Sequence, residues 1–500
     1  MQKSNPIYAK QSFWIQGPWW LIRNLLKIAS YVLVGAIAVA MIGFALYVNS
    51  LPDLSTWHTV QLENRFEAGS DIHTLEEYMT LEDQLFEELD RQIYAKLKAN
   101  EKSMINRYTK NSYSDPSRWP VQWNRTTELP VKEPKAGILL LHGMSDSPYS
   151  LHAQASYLQA NGVWVVNMRM PGHGTIPSGL IEIEWQDMAA AVQIGMKHLR
   201  EKLGDKPLYI MGYSTGAPLA LNYTIKALND DTLPRPSGLI FYSPAIGVTP
   251  VASLAVWQGR IGHFLGIEKL AWNGIVPEYD PFKYGSFAVN AGDLVYRIGN
   301  EVQKQLNELE QDRKKQKSLP PMLSFASAVD ATVVVADTVK NLYNRLPDNN
   351  STLILFDVNH KYEKTHLIPS RVQTSIKALA SDKRGNRYRL SIVSNNAENT
   401  KGNPQQITID KSGAMQQESL EFDWPEGVYS LSHLALPIKA DDPLYGRKGA
   451  PPSPGIKLGD ITLHGEKGAL EISASYLQRQ RWNPFHTYTR EKVLRFMGLE

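Results

Sequence analysis

A serine between two glycines, Ser214 in the pentapeptide GYSTG at 212–216, is the feature that most restricts what this chain can fold into. The apolar run 208–211 before it predicts a short β-strand, and Ala217–Ala227 after it predicts an α-helix. A serine in a sharp turn between strand and helix is typical of a nucleophile elbow, which exposes a hydroxyl at the edge of a parallel sheet. This motif alone leaves open an ordinary turn in a doubly wound sheet.

A second motif lies upstream. The run Gly137–Leu141 is continuously apolar, as expected of a strand buried on both faces, and it is followed by the loop His142–Ser147. In hydrolases built on such a sheet, this loop and the residue after the nucleophile each supply one backbone N–H to an oxyanion hole. Met144 and Thr215 occupy those two positions. The two motifs in this order predict an α/β-hydrolase fold.

Further apolar runs alternate with helical segments towards the C-terminus. The predicted strands are Val163–Val166, Leu239–Tyr242, Met322–Ala326, Leu353–Val358 and Tyr388–Val393, and the predicted helices are Trp185–Leu203, Thr332–Leu346 and Glu491–Met497. Strands alternating with helices imply a mostly parallel sheet with helices on both faces. We therefore expect a hydrolase domain over residues 135–500.

Two segments interrupt this alternation. Residues 246–318 contain an amphipathic helix from about Arg297 to Lys317 and predict a cap over the active site. Aromatic residues of this segment either line an acyl pocket or anchor the cap: Trp257, Trp272, Phe282, Tyr284 and Phe287. Residues 371–430 are polar and predict a second insertion. The basic run 313–317 is interpreted as a solvated helix end, and nothing in the chain indicates nucleic-acid binding.

The N-terminal region predicts a membrane anchor. Ile28–Val48 carries no charge over 21 residues, which suffices to cross a bilayer as a helix. Basic and no acidic residues precede it, so we expect residues 1–27 in the cytoplasm of a bacterium and the remainder in the periplasm, on a single-pass inner-membrane protein. The basic residues are Lys3, Lys10, Arg23 and Lys27. A cleaved signal peptide is the alternative.

Residues 49–134 form a predicted extension between this anchor and the hydrolase domain. Thr74 and Glu77 have capping-box spacing, and apolar residues then recur at helical spacing from Leu75 to about Lys98. We expect this helix to pack on the catalytic domain, with a partner-binding or membrane-surface role as the alternative. The chain contains no cysteine, which excludes disulfides, thiolate nucleophiles and cysteine-ligated metals.

A serine nucleophile needs a base and an acid that orients the base. In this fold the chain order is serine, carboxylate, histidine, which excludes His142 and His173 as the base. Asp330 is the predicted acid because it follows the strand Met322–Ala326, whereas Asp337 lies inside the next predicted helix. A helix N-cap is the alternative role for Asp330.

Two histidines are candidates for the base. His360 follows the strand Leu353–Val358 by two residues, where simple topology would put the base, but its surroundings (DVNHKYEK) are typical of a solvated turn. His433 lies in the apolar setting YSLSHLALP, which better suits a buried imidazole. These residues alone leave the choice open.

The motifs HG at 142–143, GHG at 172–174 and GYSTG, together with Asp330, make the chain resemble α/β-hydrolases of the monoglyceride-lipase and serine-aminopeptidase-like branch. More closely, the chain is similar to a group of membrane-anchored bacterial hydrolases of similar length that share LLLHGMSDSPYS, RMPGHGT, YDPFKYGSF and SLSHLALP…DDPLYG. In that group the SLSH histidine is characteristic, whereas the position of His360 tends towards arginine. The resemblance therefore implies His433 as the base, with 371–430 inserted between the last strand and its histidine.

The combined interpretation is a membrane-anchored serine hydrolase of the carboxylesterase or lipase type. Ser214, Asp330 and His433 would cleave acyl esters through an acyl-enzyme without a metal or organic cofactor. The expected partners are a small acyl-ester or lipid substrate and the membrane, with no nucleic acid and no protein partner indicated. A peptidase or acyltransferase with the same triad, and a non-catalytic membrane-tethered scaffold, are the alternatives.

Overall fold

The computed structural model describes residues 13–246, 262, 266–330, 333–360, 379, 387–395, 403–424, 437–459 and 482–500. The chain divides into two compact units, Met1–Asp53 and Leu54–Glu500. In the first unit, helix α1 (Phe13–Ser50) contains the whole predicted apolar segment. Within the described residues it is the one helix long and apolar enough to cross a membrane, a property that a signal sequence shares.

The second unit begins with the extension. Helices α2 (Thr56–Thr59) and α3 (Leu75–Leu89) lie here, and α3 starts at the predicted capping box, where the Thr74 hydroxyl accepts the Glu77 N–H. The predicted helix to Lys98 is wrong beyond Leu89, because one π-helical turn, Asp90–Tyr94, follows. In an α-helix, residues spaced exactly four apart gradually leave one face, because a turn contains 3.6 residues. The wider π-helical turn keeps Ile93 buried on the same side as Leu89.

Helix α3 packs on the hydrolase domain, as the sequence predicted. Glu82 of this helix is buried, and its Oε1 lies 2.9 Å from Nε of the buried Arg169. The Tyr78 hydroxyl donates to the Arg169 carbonyl oxygen at 2.8 Å. Since Arg169 belongs to the RMPGHGT segment, the extension holds a loop at the carboxyl end of the sheet.

The remaining elements follow in chain order. The strands are β1 (Thr127–Leu129), β2 (Ala136–Leu141), β3 (Val163–Met168), β4 (Leu208–Tyr213), β5 (Gly238–Tyr242), β6 (Trp272–Gly274), β7 (Phe287–Ala288), β8 (Met322–Ser327), β9 (Thr352–Phe356), β10 (Arg389–Asn395), β11 (Pro404–Ile409) and β12 (Met415–Ser419). The helices are α4 (His152–Ala160), α5 (Gly179–Glu182), α6 (Trp185–Leu203), α7 (Gly216–Ala227), α8 (Val289–Gln311), α9 (Arg313–Lys317), α10 (Val335–Asn341) and α11 (His486–Phe496).

Ten of the described strands form one sheet in the order β1-β3-β2-β4-β5-β8-β9-β10-β11-β12. Pairing is parallel from β3 through β10, while β1 at one edge and β11 and β12 at the other pair antiparallel. Strand β2 is buried on both faces: Leu139 and Leu141 pack with α6 and α7, and Ile138 and Leu140 pack with α4 and α11. This is the α/β-hydrolase sheet that the two motifs predicted.

The described parts of the two interrupting segments attach firmly to this body. Strands β10, β11 and β12 from the region 371–430 extend the sheet beyond β9. Within 246–318, α8 packs against α5, α6 and α7. The helix predicted over Arg297–Lys317 is two helices, because the chain turns at Asp312, whose side chain accepts the N–H groups of Lys314 and Lys315.

Candidate active site

Ser214 lies between the end of β4 and the start of α7, in the strand–turn–helix setting that the sequence predicted. Its φ is +51°, a left-handed conformation that is uncommon outside glycine and that persists only where neighbouring contacts fix it. The Ser214 N–H donates to the Tyr242 carbonyl oxygen at 2.9 Å, and the Ala245 N–H donates to the Ser214 carbonyl oxygen at 3.1 Å. These bonds to β5 and the chain after it hold the strained turn that the sequence predicted to be a nucleophile elbow.

Close contact between the elbow and β2 explains the second glycine of the motif. A Cβ on Gly216 would lie 2.2 Å from the Leu141 carbonyl oxygen, well inside van der Waals contact. The obstacle is backbone of a central strand, which cannot move aside as a flexible side chain could. Only glycine therefore allows α7 to start this close to the sheet.

The predicted oxyanion loop lies directly beside the serine. A Cβ on Gly143 would come within 3.2 Å of the Ser214 Cβ. Met144 and Thr215, the predicted donors, are buried. Within the described part of the chain, neither backbone N–H donates to another protein group, so both are available to a substrate oxygen.

The two upstream histidines have structural roles. His142 Nδ1–H donates to the Gly143 carbonyl oxygen at 2.8 Å, and its Nε2 accepts the Met170 N–H at 3.0 Å. Burial lowers the pKa of His142 to about 3 and also lowers the pKa of His173 well below its usual range. Both imidazoles are held neutral, and the His142 ring has no nitrogen left for a serine proton, which agrees with their exclusion by chain order.

Asp330 follows β8, and its Oδ1 accepts the Val333 N–H at 2.9 Å. The helix expected over Thr332–Leu346 is only α10, followed by a 3-10 turn at Tyr343–Arg345, and its N-cap is Val334. Asp330 therefore does not cap this helix. Strands β4 and β8 are parallel members of one sheet, so Ser214 and Asp330 lie at the same edge, where ligands of open α/β sheets bind.

The structure describes one of the two candidate bases. His360 follows β9, the neighbour of β8, so it too lies at the carboxyl edge of the sheet. Its Nε2 is 2.8 Å from Asp357 Oδ2, and its backbone N–H donates to Asn395 Oδ1 at 2.8 Å. His433 lies outside the described residues.

Aromatic residues of the predicted cap serve as anchors where they are described. Trp272, Phe282 and Tyr284 are buried, and the Tyr284 hydroxyl accepts the Thr175 N–H at 2.8 Å and donates to the Gly172 carbonyl oxygen. Trp257 lies outside the described residues. The sequence alone indicated no role for the adjacent Lys283. This residue lies in YDPFKYGSF, one of the stretches that the chain shares with the similar bacterial hydrolases.

Comparison with known proteins agrees with this architecture. Residues 132–360 match the model of a family described as serine aminopeptidase, S33. A thermostable monoacylglycerol lipase from Bacillus sp. (strain H-257) is 24% identical over 129 residues, which is 26% of this chain and 48% of that lipase. The chain thus spans about half the length of this relative.

Solved structures include similar chains. A soluble variant of the monoglyceride lipase from Saccharomyces cerevisiae, in complex with a substrate analog, is 16% identical and covers 46% of this chain and 81% of its own, with a TM-score of 0.36. A monoacylglycerol lipase from Paleococcus ferrophilus is 17% identical and covers 46% of this chain and 87% of its own, with a TM-score of 0.35.

The strand order, the strained serine elbow and the family match together define the class. Residues 132–360 have an α/β-hydrolase fold and match the model of the serine aminopeptidase S33 family. The resemblance stated from the sequence motifs is thereby confirmed at the level of fold and branch.

Proposed function

We propose that this protein is a membrane-tethered serine hydrolase that cleaves acyl esters through an acyl-enzyme. The observation that carries the proposal is Ser214, held at φ +51° between a buried strand and a helix, with two backbone N–H groups beside it that have no protein acceptor within the described residues. A strained, partly buried serine next to preorganised donors is the arrangement that acyl transfer requires.

In the proposed reaction the Ser214 hydroxyl attacks the acyl carbonyl carbon, and the histidine takes its proton. The Met144 and Thr215 N–H groups donate to the oxygen as it becomes negatively charged. The alcohol leaves with the proton from the histidine, and water then attacks the acyl-enzyme with the same residue as base. Asp330 orients the imidazole.

We assign the base to His433 rather than His360. In a triad one ring nitrogen faces the serine and the other faces the acid. Nε2 of His360 is engaged by Asp357, three residues before it, and its backbone N–H is bonded to Asn395, so His360 fits a role in the turn after β9. The position of His360 after β9 favours the opposite assignment, which makes the pair suitable for a direct experiment.

The serine assignment is tested with a fluorophosphonate probe on the purified full-length protein. Wild type is expected to be labelled and Ser214→Ala to be unlabelled. Ser243→Ala is the matched control, because Ser243 also has a positive φ, +43°, at the end of the next strand. Equal labelling of Ser214→Ala and wild type would refute the assignment of Ser214 as the nucleophile. Loss of labelling in Ser243→Ala alone would identify Ser243 as the nucleophile instead.

The histidine assignment is tested by ester turnover in folded variants. His433→Ala is expected to lose several orders of magnitude in kcat, because what remains without a triad member is a residual rate of about 10³–10⁴ over water. His360→Ala should keep most activity. The reverse result would make His360 the base and would leave residues 371–430 outside the catalytic frame.

An amide-cleaving activity is the second candidate, favoured by the family description as a serine aminopeptidase. A panel of nitrophenyl esters of different chain length, compared with aminoacyl amides under the same conditions, separates the two. Faster turnover of the amides would replace the esterase proposal.

The proposed location is the bacterial inner membrane, with the N-terminus in the cytoplasm and the hydrolase domain in the periplasm. Helix α1 and the basic residues before its apolar core support this orientation. An alkaline phosphatase fused after residue 130 should be active in a bacterial host. If the phosphatase fusion is inactive and a fluorescent protein fused at the same position is bright, the hydrolase domain lies in the cytoplasm and the proposed orientation is wrong.

A further inference from the structure

The loop beside Ser214 contains a second strained residue. Ser145 directly follows Met144, the proposed oxyanion donor, and has a φ of +62°. A residue that is not glycine keeps such a conformation only when the surrounding structure fixes it, and residues of this kind cluster at functional sites. The contacts that hold Ser145 therefore also fix the path of the loop that carries the Met144 N–H.

Two neighbouring residues of the predicted cap make those contacts. The Tyr284 N–H donates to the Ser145 carbonyl oxygen at 2.9 Å. Lys283 Nζ donates to Ser145 Oγ at 3.2 Å and to Asp146 Oδ1 at 2.8 Å. The Asp146 N–H in turn donates to the Gly143 carbonyl oxygen at 3.2 Å. A backbone hydrogen bond between residues 143 and 146 thus closes the loop, and the ammonium group of Lys283 binds it from the neighbouring segment.

The segment that carries Lys283 is itself fixed by buried polar contacts. Asp280 Oδ1 accepts the N–H groups of Phe282 and Lys283, and Asp280 Oδ2 accepts the Tyr445 hydroxyl at 2.6 Å. The Phe282 ring stacks on Tyr149 at a centroid distance of 4.3 Å. The backbone of Lys283 is therefore fixed by Asp280, which the DDPLYG loop holds in turn through Tyr445, so Lys283 can act as a rigid support.

We propose that Lys283 is a positioning residue for the oxyanion hole, acting through Ser145 and Asp146 on the Met144 N–H. This inference rests on the proposed function. The ion pair suits the task because the side chains of Lys283 and Asp146 are only 15% and 4% exposed, so salt screens it weakly. A misdirected N–H weakens the bond to the transition-state oxygen more than it weakens substrate binding, so the effect belongs in kcat.

The test measures ester hydrolysis by full-length Lys283→Met, Lys283→Arg and Tyr445→Phe. Loss of a whole oxyanion donor lowers kcat by about 10²–10³-fold, so partial misplacement in Lys283→Met should lower it about 10–100-fold, with KM changed less than about threefold. Lys283→Arg keeps the charge and should recover much of the loss. Tyr445→Phe, which removes one hydroxyl from the Asp280 contact, should lower kcat by a smaller factor.

Lys492→Met is the matched control, because Lys492 is also partly buried and lies near a carboxylate, Glu418, on the edge strand β12. It should retain wild-type kcat. Wild-type kcat in Lys283→Met with a wild-type melting temperature overturns the proposal, as does a loss of kcat that only follows the fraction of folded protein. Failure of the proposed function is recognised separately, because Ser214→Ala would then be labelled by the fluorophosphonate as strongly as wild type.

Discussion

Replacement of Gly216 by alanine tests the steric argument at the centre of this structure. The added Cβ would stand 2.2 Å from the Leu141 carbonyl oxygen, 2.8 Å from its carbonyl carbon and 2.9 Å from its Cβ. Ordinary contacts of this kind begin near 3.4 Å, so the start of α7 and strand β2 would have to separate by about 1 Å. Overpacking a core costs about 1–3 kcal/mol, and a backbone obstacle lies at the upper end of that range or beyond it.

We therefore expect Gly216→Ala to lower the free energy of unfolding by about 3 kcal/mol or more. Catalysis should fall as well, because Thr215, a proposed oxyanion donor, is the adjacent residue and a displacement of about 1 Å can reduce the rate about 100-fold. Urea unfolding, followed by circular dichroism in the detergent used for purification, measures the first effect. Ester turnover at low denaturant measures the second.

Gly299→Ala is the control of opposite sign. Gly299 lies inside α8 with no heavy atom within 4 Å of the added Cβ. Alanine in a helix interior is favoured over glycine by about 1 kcal/mol, so this variant should be slightly more stable than wild type. The reasoning is refuted if Gly216→Ala unfolds at the wild-type urea concentration, or if the two variants are destabilised alike.

Burial lowers the pKa of His58 to about 4 and that of His142 to about 3, whereas the unfolded chain binds these protons near pH 6.5. Each of these two histidines should therefore lower the free energy of unfolding by about 1.4 kcal/mol per pH unit as the pH falls from about 6.5 towards 4. Urea unfolding at a series of pH values measures this, and midpoints that do not change with pH would contradict it. Glu82→Ala leaves the buried Arg169 without its carboxylate and should lower the unfolding free energy by about 3–5 kcal/mol. Asp83→Ala on the same helix breaks only an exposed ion pair and should change it by less than about 1 kcal/mol, so equal losses would exclude a special role for the buried pair.

Some features of the fold and of the candidate site could be predicted from the sequence, and others could not. The position of Ser214 was predictable because the turn needs small residues at fixed offsets and apolar runs on both sides, all within one short stretch of chain. Helix α6 has its predicted bounds, Trp185–Leu203, because apolar residues recur at helical spacing along its whole length and form one buried face. The breaks at Asp90 and Asp312 were missed, since both continue a helical pattern and only packing and capping interrupt it.

The choice between His360 and His433 shows where chain order stops being informative. The order serine, acid, histidine permits both, and sequence resemblance favoured His433 without any distance to support it. The structure adds that His360 Nε2 is engaged by Asp357, a contact between neighbours that strand order did not reveal. The catalytic base stays a prediction, for which the two alanine variants provide the test.

By itself, the sequence determined the sheet, the turn that carries Ser214, the position of the loop after β2 and an apolar N-terminal helix, because each depends on local spacing and local sterics. The tertiary structure alone decided what holds the loop in place. Lys283 lies 137 positions after its partner Asp146, and Tyr445 lies 165 positions after Asp280. Such pairs leave no periodic trace in the chain. They form because parallel strands bring their carboxyl ends to one edge of the sheet, where segments far apart in sequence meet.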